Sequence, residues 1–178
     1  SHPLPSQLRA AAKFGIRTII NLRGVDPNIA SNRLSWEACE RYGLRLVHFP
    51  LFSRQAPTRE EILGINELFK QVEKPVLLHC KSGADRAGLA SALYLMLQAD
   101  ESVEVALRQL SLLRFGHIRQ AKAGILDHFF ECYRQHHEQH GTPFEEWVRR
   151  HYSRHKVETS FHHNRWINKL ADWLLRRE

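Results

Sequence analysis

The stretch Pro75-Val76-Leu77-Leu78-His79-Cys80-Lys81-Ser82-Gly83-Ala84-Asp85-Arg86 decides how this chain is to be read. Its first five residues are nearly all apolar and short in extent, the signature of a central strand covered on both faces, and so of a parallel sheet. The residues after His79 are small and polar, and from Arg86 to Gln98 the pattern is helical. A loop between a strand and a helix can curl so that successive backbone N–H groups point inward as an anion nest. The N-terminus of the following helix adds positive potential, and Gly83 permits a curl that a β-carbon would hinder. Cys80 is expected at the base of this nest, where every nearby donor favours the thiolate and pulls its pKa below the free value of ~8.5. Arg86 opens the helix, and its planar fork can grip two oxygens of a bound phosphate. The pattern H-C-x5-R therefore places a nucleophile and a clamp around one anion, with the backbone of Lys81, Ser82, Gly83, Ala84, Asp85 and Arg86 as the cradle.

Working outward, the upstream half alternates short β-like runs with helical ones. Gln7 to Phe14 predicts a helix, Arg17 to Leu22 a strand, Asn32 to Tyr42 a helix, and Leu44 to Phe49 a second strand. Thr58 with Glu61 three residues on forms a capping box for a helix running to about Val72. Strand and helix in alternation predict an α/β fold with a short, mainly parallel central sheet flanked by helices. Ligands in such sheets gather beyond the carboxyl ends of the strands, so the loops after Leu22, Phe49 and His79 are the ones to inspect. The downstream half is helical: Arg86 to Gln98, Ser102 to Leu113, Ala123 to His137, Pro143 to Tyr152, and a tail from Phe161 to Arg177. The expectation is a single domain over residues 1–178, with a core at about 5–137 and a helical C-terminal extension at about 138–178.

The Cys80–Arg86 loop, with a strand ending in His-Cys before it and a helix opening at the arginine after it, resembles the phosphate-binding loop of the protein tyrosine phosphatase superfamily. The likeness is to its small, bacterial-type dual-specificity branch and covers roughly Pro5 to Leu113. It implies a dual-specificity-phosphatase-like fold and hydrolysis of phosphate monoesters through a phosphocysteine on Cys80, with phosphotyrosine protein as the default substrate. Phosphoinositides, other phosphorylated lipids, inositols and glycans are the alternative substrates. Rhodaneses and arsenate reductases also hold a cysteine in an anion loop, but the C-x5-R spacing argues against them.

Two departures from the family pattern matter. Ala87 stands where the family has a Ser or Thr that supports the cysteine as leaving group. The loop where the family carries its general-acid aspartate, Pro50 to Pro57, has no carboxylate. Asp85, inside the phosphate loop, is the first candidate for the acid, as in the Asp-Arg ending of myotubularins and Sac-domain phosphatases. Asp26, after the first strand, is the second. Both departures also leave open a phosphate-binding module with little turnover. Auxiliary candidates are His79, which in the family tunes the cysteine; Arg23 and Arg54, as cations beside the cup; and Gln120 or His117, as helpers of the hydrolysis step. No metal or organic cofactor is expected, because the nest and Arg86 supply the positive charge.

Composition is consistent with this reading. Among 178 residues, 26 Lys and Arg outweigh 19 Asp and Glu, giving a net charge of +7 that suits anionic partners. No zinc-finger or RNA-binding motif is present, so nucleic acid is not an expected partner. The odd count of 3 cysteines argues for a reducing, cytoplasmic setting, with Cys39 and Cys132 as small buried apolar groups. Of the 12 histidines, His136, His137, His140, His151, His155, His162 and His163 lack the companions of a familiar metal set and are read as surface residues. The tail, with Trp166 and Trp173 beside Arg165, Lys169, Arg176 and Arg177, suits a helix packed on its own domain, with contact to a membrane surface as the alternative. Oligomeric state is not legible.

Overall fold

The computed structural model describes residues 2–25, 30–111, 116–117 and 122–163. Three parallel strands, β1 (Thr18–Asn21), β2 (Arg45–His48) and β3 (Val76–His79), form a sheet in the order β2-β1-β3. Their register aligns Asn21 with His48 on one side and with His79 on the other, so all three strands end at one edge. The crossovers are α2 (Ala30–Arg41) and α3 (Arg59–Gln71); α1 (Pro5–Lys13) precedes the sheet and α4 (Asp85–Gln98) follows it.

The central strand shows why the sheet needs cover on both faces. Successive residues point to opposite sides. Ile19 joins Leu8 of α1 and Ala38 and Cys39 of α2 in a small cluster, while Ile20 joins Phe69 of α3 and Leu89 and Leu93 of α4 in a large one. The predicted capping box opens α3: Thr58 Oγ1 accepts from the Glu61 amide at 3.1 Å, and Glu61 Oε2 accepts from the Thr58 amide at 2.6 Å.

Beyond α4 the chain continues through α5 (Val103–Leu107), a short 3-10 turn (Lys122–Gly124), α6 (Ile125–His140) and α7 (Phe144–Arg150), and residues 154–163 form α8. The sequence predicts a helix to Leu113, but α5 ends at Leu107 and the chain turns. That turn lies on α4: a β-carbon at Gly88 would meet Gln109 O at 2.7 Å and Leu110 Cδ2 at 2.9 Å. The backbone is thus seated in a notch that only glycine leaves open. Gly88→Ala is expected to cost about 1–3 kcal/mol through overpacking, read as a lower midpoint in urea unfolding. Gly64→Ala, whose β-carbon meets only the Phe49 ring edge at 3.3 Å, is the control and should be close to neutral, since that ring can tilt.

The C-terminal helices are part of the main core. Phe129 and Phe130 of α6 pack with Phe144 and Trp147 of α7 and with Tyr152. Tyr133 packs on the same rings. All of the predicted tail beyond residue 163, including Trp166 and Trp173, lies outside the described residues. Among the described residues, no helix is long and apolar enough to cross a membrane.

Candidate active site

The loop from Cys80 to Arg86 leaves β3 at the edge where the three strands end, and α4 begins within it at Asp85. Gly83 adopts φ +85°, the left-handed conformation the curl requires. Its amide donates to Cys80 Sγ at 3.2 Å. The Cys80 side chain is 1% exposed, so the sulfur sits on the floor of the loop. Burial pushes the thiol pKa up, but the amides of Ala87, Gly83 and Ser82 together with the Arg86 charge outweigh it, and the net shift is downward. Burial acts unopposed by such amides on the other cysteines: it pushes Cys39 up to about 11 and raises Cys132. Cys39 is fully buried as expected, whereas Cys132 is only partly so, with its sulfur 3.5 Å from His128 Nε2.

Beside the loop lies a cavity of about 410 Å³ lined by Leu51, Phe52, Ser53, Arg54, Gln55, Lys81, Ser82, Asp85 and Arg86. Among the described residues, its lining carries three cations, Arg54, Lys81 and Arg86, and one carboxylate, Asp85. Phe52 is 54% exposed at the rim, which leaves an aromatic surface beside the cations. A second cavity of about 350 Å³, lined by Phe69, Lys74, Tyr94 and their neighbours, shares none of these residues.

His79 is buried, its Nδ1 lies 3.5 Å from Cys80 O, and burial pulls its pKa down to about 4, so it is neutral near pH 7. Its ring meets that of His2 edge-on at 5.1 Å. The His2 amide donates to Lys81 O at 3.3 Å, and its ring contacts Ser35 Oγ at 2.9 Å. The N-terminal residues thus support the loop from behind, which no sequence pattern foretold.

Arg23 is not among the described residues lining this cavity; its guanidinium lies 3.4 Å from His2 Nδ1, and the His2 ring meets that of His79. The buried Asn21 draws it there by accepting from the Arg23 amide at 3.0 Å and donating to Gly24 O at 3.2 Å, which curls the chain back after β1. Asp26 and Gln120 lie outside the described residues.

The carboxylate of Asp85 is engaged. His117 Nδ1 lies 2.8 Å from Asp85 Oδ1, and His117 Nε2 lies 2.6 Å from Asp127 Oδ2. The imidazole is fully buried, Asp85 is 29% exposed toward the cavity, and Asp127 is 8% exposed. Burial opposes a charge on His117, but the hydrogen bonds and charges of Asp127 and Asp85 prevail and its pKa is raised. Asp127 was not a candidate from sequence. It sits in the first turn of α6, where a carboxylate reads as favouring the helix dipole. Among the 12 histidines, the His136 ring lies tilted against those of His140 and His151 at 4.5 and 4.8 Å, away from the cavity.

The carboxylate-free rim loop is fixed from the C-terminal side. Tyr152 Oη donates to Pro57 O, Glu158 Oε1 accepts from the Ala56 amide at 3.2 Å, and the Arg59 guanidinium donates to Val148 O and Tyr152 O, both at 2.8 Å. The extension therefore holds in place the wall that carries Phe52 and Arg54.

Residues 8–126 match the family model described as PTP-NADK, DSP-PTPase phosphatase fused to NAD+ kinase. No curated protein sequence gives a significant match. Among solved structures, P. aeruginosa TpbA aligns with a TM-score of 0.59 at 18% identity over 73% of this chain and 75% of that one. Tk-PTP in its active form gives 0.55 at 25% identity over 72% and 87%. A kinase-associated phosphatase with serine at its catalytic-site cysteine gives 0.54 at 20% identity over 73% and 77%.

Proposed function

Because the chain belongs to the family of dual-specificity-type phosphatase domains described as fused to NAD+ kinase, we propose that it hydrolyses phosphate monoesters through a phosphocysteine on Cys80. The observation that carries this reading is the buried Cys80 sulfur under the Gly83 amide, its thiol pKa lowered by a ring of N–H donors. A dianionic phosphate entering the cavity meets Arg54, Lys81 and Arg86 at the walls and the amides of the loop below. Cys80 attacks phosphorus, the bond to the leaving oxygen breaks, and Asp85 protonates that oxygen. Water then attacks the phosphocysteine and releases phosphate. Alignment and charge stabilisation supply most of the acceleration, as phosphoryl transfer requires.

For the substrate we favour a phosphotyrosine protein. TpbA, a fold neighbour, has been solved in complex with phosphotyrosine, and Phe52 offers a rim against which an aromatic ring can pack. The flanking cations Arg54 and Lys81 favour a second reading, a multiply phosphorylated inositol or lipid headgroup.

The test is rapid quenching during turnover, followed by mass spectrometry of the peptide that spans Cys80. The expected result is a phosphate adduct on Cys80, and kcat/KM for phosphotyrosine peptides above that for phosphoinositides. The reverse order selects the second reading. Retained phosphate binding with neither turnover nor adduct makes the protein a binding module instead.

A further inference from the structure

We propose that His117 and Asp127 form a proton reservoir for Asp85, replacing the general-acid aspartate that the rim loop lacks. This rests on Asp85 acting as the acid in the reaction above. The rim residues Leu51 to Gln55 carry no carboxylate, and among the described residues Asp85 is the one acidic residue lining the cavity. A general acid needs a source that renews its proton. Asp85 Oδ1 contacts an imidazole that is 0% exposed and held from behind by a second, nearly buried carboxylate. A buried charged or polar trio of this kind persists only when each member is paired.

The three groups share one proton beyond the two carboxylates and the neutral ring. In the empty site it rests on His117, which then donates through Nδ1 to Asp85 and through Nε2 to Asp127. When a phosphate dianion occupies the loop, the proton passes along the 2.8 Å contact from Nδ1 to the Asp85 carboxylate. His117 is left neutral, with its remaining N–H on Asp127. As the sulfur–phosphorus bond forms and the bond from phosphorus to the leaving oxygen breaks, the Asp85 carboxyl gives its proton to that oxygen. In the second half, water attacks phosphorus, the sulfur–phosphorus bond breaks, and the proton lost by water returns through Asp85 to His117. The sum is one ester and one water converted to one alcohol and one phosphate. Asp85 touches the reacting atoms; His117 and Asp127 act through it as positioning residues.

The test compares leaving groups. p-Nitrophenolate leaves unaided, whereas the oxygen of phenyl phosphate must be protonated. In Asp127→Asn and His117→Gln, kcat/KM for phenyl phosphate is expected to fall by about 10²-fold, within the range for general acid catalysis. The value for p-nitrophenyl phosphate should change by less than about 3-fold, and phosphate affinity should be kept. Equal losses on both substrates, or no loss on either, would overturn the proposal. A thermal melt accompanies each variant; if Asp127→Asn does not fold, the substrate ratio in His117→Gln decides alone, and if neither folds the same ratio in Asp127→Glu, which keeps the charge, must stay at the wild-type value or the proposal fails. These outcomes are distinct from failure of the phosphatase reading itself, which shows as wild-type protein that turns over neither substrate.

Discussion

Cys80→Ser is expected to lower kcat/KM for p-nitrophenyl phosphate by at least ~10⁴-fold, the scale seen when a covalent nucleophile is removed. The reason lies in what the loop can ionise. The amides of Ala87, Gly83 and Ser82 and the charge of Arg86 bring a thiol below its ordinary pKa in spite of burial. A serine hydroxyl starts several units higher, and the same donors leave it protonated and inert. The cradle itself survives the change, so inorganic phosphate should still bind to Cys80→Ser. The same electrostatics predict a pH dependence. With the thiol pKa lowered, the thiolate persists as pH falls below the ordinary thiol range, and it is lost only when pH passes below the shifted value. Alkylation by iodoacetamide near pH 6.5 should therefore mark Cys80 first. Cys39, pushed up to about 11, and Cys132, also raised, should stay unmodified. Equal labelling of all three, or turnover that survives in Cys80→Ser, contradicts the assignment.

The sequence made the loop legible because its chemistry is local. Cys80, Gly83 and Arg86 lie within one curl, and the strand before and the helix after are each readable by pattern. The parallel sheet followed from β-rich runs alternating with helical ones, and Thr58 with Glu61 announced α3 by spacing alone. What could not be read is whatever depends on distant residues meeting. Asp85, His117 and Asp127 are brought together by the turn after α5 and the start of α6, and no spacing rule joins residues so placed. The bracing of the rim by Tyr152, Glu158 and Arg59 spans 93 to 102 positions and is hidden for the same reason. For Arg23, its place at a strand's carboxyl end left open whether it faces the crevice, because pattern does not show how the chain turns next. The side chain of Asn21 holds the turn after β1, and the Arg23 guanidinium lies against His2. The early end of α5 had a cue in Gly88, but its meaning appears only when the turn is seen lying against α4.

Arg86→Lys separates two roles that Arg86 combines. Arginine offers a planar fork that binds two phosphate oxygens at once; lysine offers a point charge on a flexible stem. Both are cations, so the part of the Cys80 shift that comes from the Arg86 charge should persist in Arg86→Lys and be lost in Arg86→Met. The pH midpoint of Cys80 alkylation is thus expected to stay near wild type in the lysine variant and to move upward in the methionine one. Catalysis should divide differently. The equatorial oxygens of the transferring phosphoryl group carry the charge in the transition state, and a donor aimed at such oxygens contributes roughly 10²–10³-fold. Arg86→Lys should therefore lose about that factor in kcat/KM while its nucleophile remains poised, and Arg86→Met should lose more because clamp and thiolate fail together. Wild-type kcat/KM in Arg86→Lys would mean that the guanidinium serves only as a charge, and the geometric role given to it at the start of α4 would have to be withdrawn.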